Sequence, residues 1–136
     1  MDTAERARRE QDRAIRERER LRFRVYAATR DLALGTALFR SHFEFHEPEV
    51  VVNVYPRFVD VNVALNEGQL RLLPGADRPR DLKQFAEELR EGFGRMAACL
   101  HLELTTEPSR FGGAEPIMLL DVSIGYHAVL LRRESE

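Results

Sequence analysis

Residues 79–100 have the sequence PRDLKQFAEELREGFGRMAACL, in which apolar side chains recur every three or four positions. This spacing places them on one face of an α-helix. Asp77 and Pro79 are typical of the start of a helix, and we therefore predict a helix from about Pro79 to Leu100 that packs onto a core. Its apolar face consists of Leu82, Phe85, Ala86, Leu89, Phe93, Met96, Ala97 and Leu100.

Extended segments precede and follow this helix. Residues 50–55 and 58–65 are rich in β-branched side chains and are separated by Pro56 and Arg57, which predicts a hairpin. Alternating or β-branched patterns predict further strands at residues 41–47, 69–73, 101–105 and 117–131. Because an unbroken strand over the last range would exceed ordinary strand lengths, we expect a bend or bulge at Gly125.

The N-terminal residues predict a second, longer helix. From Asp2 to about Phe39 there is no proline, and the only glycine is Gly35. Apolar residues fall on one broad arc of this helix, but before Leu21 the arc is thin and consists mainly of alanine. We therefore expect the second half of the helix to be buried and the first half to project into solvent.

The order of these elements predicts an α+β fold. Two helices with apolar faces would cover one side of a mostly antiparallel sheet of about five strands, giving a two-layer sandwich. The 136 residues suit a single domain. We divide the chain into a charged helical segment at residues 1–24, called the arm, and one α+β domain at residues 25–136.

The overall charge conceals an asymmetry between these two parts. The chain has a formal net charge of −2, whereas the arm has nine arginines and six acids, a net charge of +3, which leaves −5 for the rest. Near-neutrality argues against indiscriminate nucleic-acid binding. The single cysteine, Cys99, argues against a disulfide framework, and no apolar run is long enough to span a membrane. We expect a cytoplasmic protein without a membrane partner.

Arginines form a line along one side of the arm. They fall within a stripe about 80° wide and about 27 Å long, on the side away from the apolar arc. We call this stripe the basic ridge. Its members, the candidate partner-binding residues, are Arg6, Arg9, Arg13, Arg16, Arg20 and Arg24.

Three interpretations of the basic ridge remain open. Carboxylates flank it on both sides, so it could be a solvated face held by i,i+4 ion pairs, among them Glu5/Arg9, Arg8/Asp12, Asp12/Arg16 and Arg13/Glu17. It could instead bind a protein partner or the body of a second copy. Binding along a nucleic-acid backbone is the third interpretation.

Signals for metal binding or catalysis are weaker. The row His42, Glu44 and His46 could offer two imidazoles and a carboxylate on one face of a strand, a weak candidate metal site. Several polar residues of the predicted strands could be combined into a Ser/His/Asp arrangement, but there is no nucleophile elbow. These residues are Asp60, Asn62, Asp121, Ser123 and His127.

We therefore predict a non-enzymatic interaction protein that needs no cofactor, a regulator or assembly component of the kind that phages also encode. It would bind a protein partner or itself through the N-terminal helix and through a sheet edge, which we place in the run ending at Leu131. The alternatives are a regulator that binds nucleic acid or the transcription machinery through the basic ridge, and a metal-dependent enzyme that uses the His42 row.

Overall fold

The computed structural model describes residues 2–105, 117–120 and 123–132. Four helices and five strands follow one another along these residues. The helices are α1 (Thr3–Leu34), α2 (Ala37–His42), α3 (Glu67–Arg71) and α4 (Arg78–Cys99). The strands are β1 (Glu49–Val54), β2 (Phe58–Leu65), β3 (Leu102–Leu104), β4 (Ile117–Leu120) and β5 (Ser123–Arg132). The chain is thus α+β, as the sequence predicts.

All strand pairs of the described sheet are antiparallel, and the lateral order is β1-β2-β5-β3. Strand β4 also pairs with β5, on the same side as β3 but at the other end of β5. The sheet is therefore four strands wide rather than five, because β3 and β4 share one edge of β5. Strand β5 lies inside the sheet, so our placement of a free edge in the run ending at Leu131 is wrong.

One face of the sheet is buried under the helices. The side chains of β2 alternate as predicted, with four fully buried residues on the inner face: Val59, Val61, Val63 and Leu65. The inner face continues on β5, where the ring of Tyr126 stacks on that of Phe93 in α4 at a centroid distance of 5.7 Å. Helix α1 packs against β1 and α4. This arrangement is the two-layer packing predicted from the apolar faces.

The N-terminal helix ends five residues before the predicted end at Phe39. Helix α1 stops at Leu34, and Thr36 caps a new helix by accepting a hydrogen bond from the Phe39 N–H at 3.5 Å. The change of direction brings Phe39 and Phe43 into the core, where they are 1% and 0% exposed. Continuing α1 straight through this point would lose that burial.

Two predicted strands are instead helical or irregular. Residues 67–71 form α3, which Asn66 and Gln69 cap reciprocally, each side chain accepting the other's backbone N–H at 2.8 and 3.0 Å. The predicted strand at residues 41–47 is also wrong, because α2 runs to His42 and an irregular turn follows. There Phe43 is fully buried while Phe45 is 93% exposed, so the two rings do not share a face.

The run at residues 117–131 folds into two strands instead of one. Leu120 pairs with Ser123 and Leu119 with Ile124, so the chain reverses between β4 and β5. Pairing of β5 with β2 continues in register through Gly125, without the bulge we expected there. The reversal also changes the faces: even-numbered positions of β5 share a face with odd-numbered positions of β4.

Candidate functional site

The first two-thirds of α1 project from the core. Every residue from Asp2 to Arg20 is exposed, and Val25 is the first fully buried residue of the helix. Asp2 caps the helix, its Oδ1 accepting a hydrogen bond from the Glu5 N–H at 2.7 Å. The sequence supports a helix here through charged and alanine residues with good helix propensity, but gives it little apolar surface to bury.

The basic ridge is less paired than the sequence suggests. Of the four expected i,i+4 pairs, only Glu5–Arg9 forms, at 3.2 Å. Arg16 donates instead to the backbone oxygen of Asp12, at 3.4 Å. Such pairs contribute only a few tenths of a kcal/mol each in solvent, so nothing forces the remaining ones to close. Within the arm, which the structure describes from Asp2 onward, four ridge members form no ion pair: Arg6, Arg13, Arg20 and Arg24.

Carboxylates of the arm are partly engaged away from the ridge. Arg22, which is not a ridge member, donates to Glu19 Oε2 from both Nε and Nη2, at 3.0 and 2.7 Å. This hydrogen bonding lowers the pKa of Glu19 below its ordinary value. Glu19 is therefore held by Arg22 as a carboxylate and does not neutralise the ridge.

Exposed apolar side chains lie beside the ridge. Ile15 is 47% exposed, Phe23 68% and Tyr26 37%. Large aromatic side chains next to arginines are the residue types that dominate the binding energy of protein interfaces. The arm thus combines charge with apolar contact area.

A second charged surface lies where α1 ends. A shallow groove between the end of α1 and α4 is lined by Asp31, Glu88, Glu91 and Arg95, among others. We call it the acidic groove, since it carries three carboxylates against one guanidinium. Arg95 contacts Glu91 at 3.3 Å, and Glu88 lies 3.3 Å from the Ala37 N–H, which donates to it. The sequence gave no indication that Asp31 meets Glu88, because they are 57 positions apart.

The candidate metal residues are not arranged as predicted. His42 ends α2, whereas Glu44 and His46 lie in the irregular turn after it. In the part of the chain that the structure describes, no group of three or more His, Cys, Asp or Glu side chains is placed to hold a metal ion.

A bidentate ion pair attaches that turn to α1. Arg30 donates to both carboxylate oxygens of Glu47 at 2.8 Å. The Arg30 hydrogen bonds lower the pKa of Glu47. Sequence reasoning missed this pair, because its two residues are 17 positions apart and lie in different elements.

Part of the Ser/His/Asp arrangement does come together. On the outer face of the sheet, His127 Nε2 lies 3.1 Å from Asp60 Oδ1, which also accepts a hydrogen bond from Asn62 Nδ2 at 3.0 Å. Ser123 is four residues from His127 along β5, about 13 Å at the rise of a strand, and so cannot complete a triad. Asp121 lies outside the described residues.

Comparisons with protein families, with curated proteins and with solved structures give no match. None of the described helices combines the length and the hydropathy that crossing a membrane requires.

Proposed function

We propose that this protein is a non-enzymatic regulator or assembly component that binds a protein partner through its arm. The observation that carries the proposal is the exposure of every residue from Asp2 to Arg20 within a continuous helix. Isolated helices of this length are only marginally stable in water, and most helical stability in proteins comes from packing. A binding partner would supply that packing.

The composition of the arm supports a protein partner. Ile15, Phe23 and Tyr26 provide exposed apolar area, and the basic ridge provides charge that few intrachain contacts neutralise. The single cysteine supports a reducing compartment, and we place the protein in the cytoplasm. Of the two edges of the described sheet, β1 belongs to the hairpin with Tyr55 and could extend the interface beyond the arm.

An affinity capture from the native host with full-length protein tests this function. One variant replaces all six ridge arginines with glutamine, and the matched control replaces Arg8, Arg18 and Arg22, which lie off the ridge. We expect wild type and control to retain the same partner in fixed proportion to the bait, and the ridge variant to lose it. An identical set of captured proteins for all three would contradict the proposal.

Nucleic-acid binding is the second candidate, favoured by the four ridge arginines that have no ion pair in the described arm. Binding along a phosphate backbone would weaken steeply with salt, by a slope set by the number of phosphates neutralised. Titration of duplex DNA and single-stranded RNA at about 50 and 200 mM salt separates the two candidates. Absence of binding at the lower salt concentration would exclude this candidate.

A further inference from the structure

The basic ridge and the acidic groove lie on the same side of α1. Arg6 and Asp31 are 25 residues apart, which at 100° per residue brings them within about 20° of the same face. At 1.5 Å per residue they are separated by about 37 Å along the helix axis. One side of this single helix therefore offers positive charge at its start and negative charge at its end.

The charges within the acidic groove are available to a partner. Asp31 and Glu91 have side chains that are 78% and 75% exposed, and the one cation near Asp31 is Arg30 at 3.8 Å. Arg30 is already held by Glu47 at 2.8 Å. The groove thus keeps a net negative charge, while Arg6 has no ion pair in the described arm.

From this complementarity we propose that the partner of the arm is a second copy of this chain, with the two α1 helices antiparallel. The arm of each copy would place Arg6 and Arg9 in the acidic groove of the other, at Asp31, Glu88 and Glu91. The inference rests on the proposed function, since it names the occupant of the same arm.

Symmetry and charge both favour this occupant. An antiparallel pair has a two-fold axis, so the same contact forms twice and the assembly closes as a dimer. The arm carries +3 and the rest of the chain −5, so each arm meets a body of opposite sign. With Arg6 opposite Asp31, the exposed residues 2–20 of one copy lie beside the second half of α1 of the other, which covers the surface that the single chain leaves open.

Charge reversal on each side tests the arrangement in the full-length chain. Variant one carries Arg6→Glu and Arg9→Glu; variant two carries Asp31→Arg and Glu91→Arg. All four positions are exposed, so both variants should keep the fold, which circular dichroism checks. The control carries Arg8→Glu and Arg18→Glu, the same change in net charge on another side of the helix.

Mass is measured by light scattering from about 1 to 100 µM. We expect wild type and control to have twice the chain mass, each variant alone to have the mass of one chain, and an equimolar mixture of the two variants to regain the double mass. The mixture discriminates most sharply, because both of its arm–groove contacts regain opposite charges.

A single-chain mass for wild type throughout this range would overturn the inference, as would variants that stay dimeric or a mixture that stays monomeric. A monomeric wild type that still captures a host protein through the ridge would leave the proposed function standing. A monomeric wild type whose DNA binding is lost in variant one would assign the ridge to nucleic acid and overturn both.

Discussion

Gly92 of α4 lies directly against Leu32 of α1: a Cβ atom added to Gly92 would be 2.0 Å from Leu32 Cδ1. This close approach joins the base of the arm to the helix that carries Glu88 and Glu91. Gly92 is buried, whereas Gly94, two residues further on, is exposed and has no atom within 4 Å of an added Cβ. The two glycines in one helix therefore serve different purposes.

The first prediction concerns this contact. Gly92→Ala should destabilise the protein, since overpacking costs about 1–3 kcal/mol and the gain in helix propensity recovers only about 1 kcal/mol. Gly94→Ala is the matched control and should stabilise by up to about 1 kcal/mol, because it has the propensity gain without the clash. Urea unfolding measures both changes; equal effects of the same sign would contradict the contact.

The sequence predicted those elements whose pattern and packing agree. The apolar face of α4 and the alternation in β2 are long and regular, and both helices pack on the sheet as expected. Residues 66–71 were predicted wrongly even though the sequence contains a capping signal, Asn66 followed three positions later by Gln69. That signal was outweighed by the apolar residues after it, which suggested a strand.

Other features could not be derived from local pattern. The period-two spacing at residues 41–47 was taken as a strand, but burial of Phe43 is set by its packing on Phe39, with ring centroids 5.2 Å apart. The acidic groove likewise depends on how α1 meets α4. The basic ridge was foreseen because it lies on one helix, where spacing alone fixes which residues are neighbours.

A second prediction concerns the outer face of the sheet. Asp60→Ala removes the carboxylate that lies 3.1 Å from His127, a residue only 8% exposed, and that accepts from Asn62. Losing a hydrogen-bond acceptor for a buried polar group costs about 1–3 kcal/mol. Asn53→Ala is the control, since Asn53 lies opposite Asp60 in the β1–β2 register but is exposed. Denaturant unfolding should show a loss for Asp60→Ala alone; a comparable loss in the control would contradict a specific role.

A third prediction concerns alkaline pH. Burial raises the pKa of Tyr126 above its ordinary value of 10.0, and a hydrogen bond from Arg90 acts in the opposite direction. Above about pH 10 the unfolded chain releases this proton while the folded chain still holds it, so the free energy of unfolding falls as the pH rises. Below that pH the contribution is fully present.

Tyr126→Phe should therefore weaken the alkaline loss of stability while keeping the stack on Phe93. Chemical unfolding at several pH values between about 8 and 11 measures the difference. Tyr55→Phe controls for the removal of one hydroxyl at an exposed position, and should keep the wild-type profile. A Tyr126→Phe profile that parallels wild type at high pH would contradict the burial of this hydroxyl.

The fourth prediction distinguishes the two halves of α1. Residues 25–34 pack against β1 and α4, with Val25, Thr29 and Ala33 fully buried, whereas residues 2–20 are exposed on all sides. Amides of the first half open by local fraying, which costs little free energy, while those of the second half open only with the core. At low protein concentration, hydrogen exchange should show strong protection after Val25 and weak protection before Arg20.

Asp2→Ala sharpens this prediction, because it removes the cap at the free end of the helix. Loss of an N-cap costs about 1 kcal/mol of helix stability, which should lower protection in residues 6–20 further and leave residues 25–34 and the unfolding midpoint unchanged. A variant that lowers protection equally along all of α1 would mean that the helix opens as one unit. The arm would then be stabilised by the core to which it is joined, and would not require a partner for its stability.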